Sequence, residues 1–278
     1  RSYPIYDLRK EAVKKMKGIN RILQTARNNF WHKKTLKHMI SCDAIFPVSE
    51  EMKKVMEREG VNKKLMTPIP YGCIDPPTIE KNDVEHLRNK YNLVGKEIIL
   101  YFGASESPRK IEFLIDSFEK AYSQHTNIHL ILLGGNPEEK KRLSNYVTNK
   151  KMDSMVTVIG KVPRKELDKY IALSLFTLSI IPPIDAYMVS TPGKLIDSLL
   201  NARAVIGNKL PFQERLISQS KGGLCVDYNI EDISKAMIWM IENKKSTIKM
   251  GQKGKKYLIN NLSFDTITET IIKTYKSL

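Results

Sequence analysis

The chain has 278 residues, of which 41% are apolar and 27% charged, a composition typical of a folded globular protein rather than a disordered one. Its 46 Lys and Arg residues outnumber its 30 Asp and Glu residues, and the resulting formal net charge of +16 favours an anionic partner. No run of about 18 apolar residues occurs, so no membrane-spanning helix is predicted. The cysteines and histidines lack metal-binding spacing, which predicts no metal site and free thiols in a reducing compartment. Because position 1 is Arg and no signal-peptide pattern follows, we expect the natural start to lie upstream.

Positive charge is concentrated at the N-terminal end of the chain. Residues 1–40 contain eleven Lys and Arg residues against only Asp7 and Glu11, and apolar residues including Phe30 and Trp31 recur among them at helical spacing. This pattern predicts a basic amphipathic helix, which is typical of proteins that bind an anionic membrane surface. A solvated basic helix packed on its own domain is an equally open alternative. RNA binding is less favoured, because no nucleic-acid-binding motif accompanies the charge.

The first third of the chain predicts few regular elements besides the basic helix. We expect a strand at 3–6, a strand at 43–48, a helix at 50–58 capped by Ser49, and a further strand at 64–69. This is too little for a complete Rossmann-type domain.

Residues 79–230 alternate between apolar, β-branched runs and amphipathic stretches. Such alternation predicts a parallel sheet covered by helices on both faces, with ligands bound at the carboxyl ends of its strands. The predicted strands are 97–102, 128–133, 156–159, 176–181, 204–206 and 224–226, and the helices between them are 111–122, 137–148, 164–173, 192–200 and 211–219. The remaining residues predict three helices, at 231–242, 249–258 and 264–275.

One helix start within this region has the features of an anion site. We expect Ser190 or Thr191 to cap the helix, with Pro192 in its first position. Free amide groups and the positive end of the helix dipole attract anions there, and Lys194 adds a full charge. Asp197 lies three residues further on, so the segment would suit a diphosphate with the ribose behind it. The alternative is an ordinary capped helix with a surface Lys–Asp pair.

Several segments, taken in order, carry a resemblance to a known family. They are "SCDAIFPVSEEMKKVMEREGV" (41–61), "IPYGCID" (69–75), "YFGASESPRKIEFLIDSF" (101–118), "HLILLGG" (129–135), "VTVIGKVPRKEL" (156–167), "KLIDSLLNARAVIGNKLP" (194–211) and "LSFDTITETIIKTY" (262–275). Over residues 40–278 the chain resembles retaining glycosyltransferases of the GT-B type, family four, which use nucleotide-sugar donors.

The resemblance implies an α/β, GT-B-like fold with three parts. Residues 1–78 would be the later part of an N-terminal, acceptor-side α/β domain, and 79–261 a complete C-terminal Rossmann-type domain that binds the donor. Residues 262–278 would form a helix that returns to the N-terminal domain.

The same resemblance implies transfer of a sugar from a nucleotide diphosphate sugar to a glycan or lipid-linked acceptor, with retention and without a metal or other cofactor. The expected setting is polysaccharide assembly in the cytoplasm, peripheral to the inner membrane face. A non-catalytic module that binds a nucleotide sugar or a partner is the alternative.

The resemblance also assigns roles to individual residues. Gly103 would lie under the donor phosphates, and Lys110 would contact the diphosphate as a catalytic residue. Asp197, also in the catalytic set, would bind the ribose where the family usually has Glu. Backbone groups of Gly160, Lys161 and Val162 would hold the nucleobase. The phosphate-facing helix start would comprise Thr191, Pro192, Gly193, Lys194 and Leu195.

Two departures from the family pattern concern charged positions. The family usually has Arg where this chain has Ala104, and an acidic residue where it has Val189. Arg109 is a candidate for the missing donor-binding cation, and Asp185 for the missing carboxylate. Both departures favour the non-catalytic alternative.

Overall fold

The computed structural model describes Val13 and residues 16–278 of the chain. The strand expected at 3–6 lies outside these residues. The long helices and the α-helical turn at 185–188 are α1 (Gly18–Ile40), α2 (Glu50–Arg58), α3 (Lys81–Lys90), α4 (Ile111–Tyr122), α5 (Pro137–Asn149), α6 (Arg164–Leu173), α7 (Asp185–Met188), α8 (Gly193–Leu200), α9 (Pro211–Ser220), α10 (Ile230–Glu242), α11 (Lys244–Leu262) and α12 (Phe264–Lys276).

A six-stranded sheet forms the centre of the fold, and every pair of neighbouring strands in it is parallel. The strands are β1 (Glu97–Phe102), β2 (Ile128–Leu133), β3 (Val156–Ile159), β4 (Phe176–Ser179), β5 (Ala204–Asn208) and β6 (Gly223–Val226), in the order β3-β2-β1-β4-β5-β6. The chain leaves β1 toward β2 on one side and later returns to place β4 on the other. The crevice between the carboxyl ends of β1 and β4 is therefore the expected ligand position.

Burial on both faces explains why the strands are apolar without alternation. In β1, Ile99 and Tyr101 pack into a cluster with α4, α5 and α10, whereas Ile98 and Leu100 pack with α3 and α6 on the opposite face. A third cluster joins β5 to α8, α9 and α11. The predicted parallel sheet covered on both faces is confirmed.

Strand β4 ends at Ser179, two residues earlier than the sequence pattern predicts. The backbone amide of Ile181 donates to Oδ1 of Asn208 at 2.8 Å, and Nδ2 of Asn208 donates to the Ile181 carbonyl at 2.9 Å. A side chain of β5 thus replaces the backbone ladder and turns the chain out of the sheet toward the crevice.

Before the sheet, the predicted helix α2 is confirmed, with Ser49 accepting from the amide of Met52 at 3.0 Å. The predicted strands at 43–48 and 64–69 are wrong as regular strands, because they are reduced to one parallel bridge between Ile45 and Met66. These segments contain Pro47 and Pro68, and Pro70 follows directly; a proline cannot donate a ladder hydrogen bond.

The C-terminal helices extend further than predicted and reach back to the N-terminal residues. The Thr274 hydroxyl lies 3.4 Å from that of Thr67, and the rings of Tyr275 and Phe46 are 5.9 Å apart. The amide of Cys73 donates to the Leu262 carbonyl at 2.9 Å, which joins the segment between α2 and α3 to the end of α11. Among the described residues, no helix combines the length and the apolar character needed to cross a bilayer.

Close packing of α11 on the sheet depends on Gly251. A Cβ atom at this position would lie 2.1 Å from the carbonyl oxygen of Ala202, a backbone atom that cannot move aside easily. We expect Gly251→Ala to lower the free energy of unfolding by about 1–3 kcal/mol through overpacking, as measured by urea denaturation. The exposed neighbour provides the control: Gln252→Ala on the same helix should leave stability nearly unchanged. Equal stability of the two variants would contradict the close approach.

Candidate functional site

Loops that follow β1, β2 and β3 meet above the carboxyl edge of the sheet. Gly103 and Gly134, which end β1 and β2, both have positive φ angles, of 115° and 126°. A Cβ at Gly134 would lie 2.2 Å from the Gly103 carbonyl oxygen, so only glycine permits the two loops to come this close. Arg142 fixes the first loop from outside by donating to the Ser105 carbonyl at 2.6 Å.

Two adjoining cavities open at this edge. The loop cavity, of about 960 Å³, is lined by Gly103, Ala104, Glu106, Gly134, Gly135, Asn136, Pro137, Glu139, Lys140, Gly160 and Lys161. The apolar cavity, of about 250 Å³, is lined by Phe102, Gly103, Leu133, Gly134, Lys161, Val162, Arg164 and Leu167. Gly103, Gly134 and Lys161 line both cavities. The larger cavity has charged side chains in a largely apolar wall and the smaller is almost wholly apolar, which suits a ligand with a charged part and a flat apolar part.

Lys194, in the first turn of α8, points under the β1 loop. Its Nζ lies 3.8 Å from the centre of the Tyr101 ring, and a Cβ at Gly103 would be 3.6 Å from the same Nζ. The Nζ is buried and has no hydrogen-bond partner. Burial and the nearby Arg109 guanidinium lower the pKa of Lys194 well below its usual value, and Glu106 only partly opposes them. The ammonium form is therefore held in an unfavourable environment, ready to be stabilised by an anion.

A second cation, Arg109, lies beside the first. Its guanidinium carbon is 4.2 Å from the centre of the Tyr187 ring, and its Nε is buried without a hydrogen-bond partner. The Thr191 and Tyr228 hydroxyls are also buried without partners. We call this group the cationic cluster: Tyr101, Arg109, Tyr187, Thr191, Lys194 and Tyr228.

Buried polar groups are normally hydrogen-bonded, and exceptions need an explanation. The described part of the chain has five buried side-chain polar atoms without a partner, and four of them belong to the cationic cluster; the fifth is Nδ2 of Asn28. Two of the four are nitrogen atoms of basic side chains. Their concentration at the β1–β4 crevice indicates a site for an anionic ligand.

Asp197, one turn along α8 from Lys194, has a different partner from the one its spacing suggests. Arg164, the first residue of α6, donates to both carboxylate oxygens of Asp197, at 2.7 and 3.1 Å. Burial raises the pKa of Asp197, and the Arg164 guanidinium opposes that rise. The alternative of a surface Lys194–Asp197 pair is wrong, because Lys194 turns to Tyr101 instead. Sequence spacing offered no sign of Arg164, whose contact with Asp197 joins residues 33 positions apart.

The structure places four of the residues that the resemblance assigned to the donor around the two cavities. Gly103, Gly160, Lys161 and Val162 line the two cavities. Lys110 lies apart from them: its side chain is exposed, its backbone is left-handed with φ of 50°, and it lines neither cavity. Its predicted diphosphate contact stays a prediction, while the preceding Arg109 occupies the position that faces Lys194.

The start of α8 also differs from the expected capping arrangement. The helix begins at Gly193 with Pro192 before it, and no side chain caps it. The Ser190 hydroxyl donates to the Tyr187 carbonyl at 2.7 Å, and the Thr191 hydroxyl stays unpartnered, so the predicted cap is wrong. The first amides of α8 are thereby left available to a ligand. Leu195 is fully buried in the cluster beneath the sheet, and its side chain serves packing.

Val189, where the family usually has an acidic residue, is part of the core. It is only 5% exposed and packs with Met52, Met56, Val61 and Met66 of the N-terminal residues. Its carbonyl accepts from the Ser49 hydroxyl at 3.0 Å. A carboxylate could not occupy this apolar position without a partner. Asp185, the candidate replacement, is exposed at the start of α7.

Residues 83–257 match the profile of the family described as Glycosyl transferases group 1. This match covers more than half of the chain, and the chain belongs to that family. The resemblance stated from the sequence motifs is thus confirmed. No curated protein sequence gives a significant match.

Solved structures of glycosyltransferases share the fold. HepE of Anabaena in complex with UDP and glucose superposes with a TM-score of 0.75 at 15% identity, over 88% of this chain and 67% of that one. A glycosyltransferase of Rickettsia africae gives 0.74 at 16%, over 88% and 66%. WaaG, a glycosyltransferase involved in lipopolysaccharide biosynthesis, gives 0.73 at 12%, over 94% and 70%. At these identities the likeness shows the GT-B fold, which confirms the predicted fold class.

Replacement of the buried Lys194 cation should stabilise the protein. We expect Lys194→Met to raise the free energy of unfolding at neutral pH by about 1–4 kcal/mol, because a buried charge without a partner is replaced by an apolar chain of similar length. In the unfolded chain the lysine titrates near 10.5, above its folded pKa. The parent should therefore gain stability as pH rises toward 10.5, and its difference from the variant should shrink.

Urea denaturation between pH 7 and 10.5 measures both effects. Lys253→Met, at an exposed position of α11, is the matched control and should match the parent at every pH. If Lys194→Met is less stable than the parent at pH 7, the conclusion that the buried Lys194 side chain destabilises the protein is wrong.

Proposed function

We propose that the protein transfers a sugar from a nucleotide diphosphate sugar to a glycan or lipid-linked acceptor. The observation that carries the proposal is the cationic cluster, in which two basic side chains have buried nitrogen atoms without partners and lie near the open helix start of α8. Lys194 of this cluster lies next to Gly103, which lines the loop cavity. Membership of the glycosyltransferase family supplies the class of reaction. HepE of Anabaena, which shares the fold, binds UDP and UDP-glucose, and this supports a donor of the same kind.

In this proposal the donor diphosphate lies over Gly103, within reach of Lys194 and Arg109. Cleavage of the bond between the sugar and the diphosphate places negative charge on the leaving phosphate oxygen. Lys194, Arg109 and the α8 dipole stabilise that charge. The reaction then needs no metal ion for leaving-group stabilisation, and retention of the anomeric configuration is proposed from the family resemblance.

The nucleoside occupies the remaining space in the proposal. The apolar cavity takes the nucleobase, which meets the backbone of Gly160, Lys161 and Val162 at its edge, and Asp197 accepts from the ribose hydroxyls. Asp185 remains the proposed substitute for the carboxylate lost at Val189. Asp185→Ala should then lower turnover of a nucleotide sugar while nucleotide affinity stays the same.

A specific observation favours a second candidate, a non-catalytic nucleotide-sugar-binding module. Val189 is engaged in packing with Met52 and Met56, so the usual acidic contact to the donor sugar is lost. Ala104 lacks the cation that the family usually places after the glycine. Binding without turnover would distinguish this candidate from the transferase.

Thermal unfolding with UDP, GDP, ADP and their sugar conjugates tests the donor site. We expect one nucleoside diphosphate to stabilise the parent, by about 2.7 kcal/mol at a hundred times its dissociation constant. The ligand-induced shift should vanish in Lys194→Met and persist in Lys253→Met. If no nucleotide shifts the parent, the donor site is refuted.

Release of the nucleotide is then followed with the stabilising sugar donor, first alone and then with candidate acceptors. Turnover that continues in excess EDTA supports a transferase without a metal requirement, and NMR of the product reports whether the anomeric configuration is retained. Binding with no turnover in either assay favours the module.

A peripheral contact with an anionic membrane is proposed for helix α1. Over its 23 residues α1 has no Asp or Glu, and Ile19, Ile22, Leu23 and Phe30 are each more than 60% exposed. Exposed apolar side chains among basic ones suit the headgroup region of an anionic bilayer.

Flotation with vesicles tests the contact. One set of vesicles is phosphatidylcholine alone, and the other also contains about 30% phosphatidylglycerol by mole to make the surface anionic. We expect binding only to the anionic vesicles, weakened by Ile22→Ser with Phe30→Ser and by added salt. The exposed Ile248→Ser of α11 is the control. Equal flotation of parent and double variant would refute the role of α1.

A further inference from the structure

Arg164 lies where the two halves of the proposed nucleoside site meet. It opens α6 directly after Val162 and Pro163, and it lines both the apolar cavity and a third cavity beside it that also contains Asp197. Its side chain is 63% exposed, whereas that of Asp197 is 25% exposed. The arginine thus covers the carboxylate from the solvent side and borders the space assigned to the nucleobase.

The contact between the two side chains is bidentate. Both carboxylate oxygens of Asp197 accept from the terminal nitrogens of Arg164, at 2.7 and 3.1 Å. Such a pair fixes the plane of the carboxylate as well as its position. An ionised carboxylate has about four acceptor sites, so two stay free to accept from hydroxyl groups.

Charge gives the contact a second effect. Burial raises the pKa of Asp197, Arg164 opposes that rise, and the nearby Asp168 of α6 adds to it. Asp168 itself accepts from the side chain of Asn201, the residue after α8, at 2.9 Å. Without the guanidinium, Asp197 would be more readily protonated and would lose acceptor capacity.

We propose that Arg164 is a positioning residue for the donor: it holds the Asp197 carboxylate in the orientation that accepts from the ribose hydroxyls of a nucleoside diphosphate. This inference rests on the proposed function and adds to it a residue that determines ribose recognition. A surface ion pair without this role would contribute little to stability and nothing to the choice between ribose and deoxyribose.

The experiment compares ribose with deoxyribose. Whichever of UDP, GDP and ADP binds the parent most tightly is titrated calorimetrically against each variant beside its 2′-deoxy form. We expect the parent to bind the ribonucleotide about tenfold more tightly than its 2′-deoxy form, because the 2′-hydroxyl adds one hydrogen bond to a charged group. Arg164→Met and Asp197→Asn should both lose that preference, and the double variant should lose no more than either alone. Arg164→Lys, which keeps the charge without the bidentate geometry, should recover part of it.

Dependence on pH separates positioning from a merely structural role. The preference for ribose should persist to lower pH in the parent than in Arg164→Lys, since the bidentate pair keeps Asp197 ionised best. Lys169→Met provides the matched control, because Lys169 lies on the same helix as Arg164 but pairs with Asp83 of α3 and lines none of the three cavities. This variant should keep the parental preference at every pH.

The outcomes distinguish the two proposals. If no nucleoside diphosphate binds the parent, the proposed function fails and the role of Arg164 fails with it. If the parent binds and prefers ribose, but Arg164→Met keeps the full preference, only the role of Arg164 is overturned. Retention of the preference by Asp197→Asn overturns it as well, because the carboxylate would then not recognise the ribose.

Discussion

The unfavourable proximity of the buried Lys194 side chain to the half-buried Arg109 guanidinium is the constraint on which the rest of the site depends. Lys194 and Arg109 come from different elements, and each is held against an aromatic ring, Tyr101 or Tyr187. The rings give partial compensation through their electron-rich faces, but they leave buried donor atoms without partners. The protein maintains this unfavourable arrangement because the surrounding sheet and helices are tightly packed.

Packing of the sheet explains how such an arrangement persists. β1 is followed directly by Gly103, and the chain after β4 turns away through the Asn208 side chain. The crevice of the sheet lies between these two ends, and the Lys194 side chain lies beside Tyr101 and Gly103 at the β1 end. Free energy from the apolar clusters on both faces maintains the strained polar groups at the edge. Functional sites commonly combine a rigid scaffold with locally unfavourable electrostatics in this way.

Much of the sheet could be predicted from the sequence, because a strand buried on both faces requires a continuous apolar run. The bounds of β1, β2 and β3 agree with such runs. The pattern failed where a side chain replaced backbone pairing, as at Ile181, and where prolines interrupted it, as at Pro47. Helix α11 continued through Gly251 because tertiary packing outweighed the low helix propensity of glycine.

The site was predictable only in part. Glycines and lysines at strand ends marked its edge, but the direction of a side chain follows from backbone angles that local sequence does not reveal. Lys110 and Arg109 are adjacent and both have basic side chains. The backbone of Lys110 is left-handed, and its side chain is exposed whereas that of Arg109 is partly buried. The pairing of Arg164 with Asp197 depends on how α6 and α8 lie together, which no local motif encodes.

Because Val189 packs against the N-terminal residues, the loop between β4 and α8 contacts two parts of the protein at once. One end of this loop carries Tyr187, which stacks on Arg109, and the other leads into Lys194, while its middle is held by Ser49 and Met52. A movement of this loop that improves its contacts with Arg109 and Lys194 must also change its contacts with the N-terminal residues. If anion binding and docking of the N-terminal residues both act on this loop, thermodynamic reciprocity requires that anion binding changes the free energy of docking by the same amount as docking changes the free energy of anion binding.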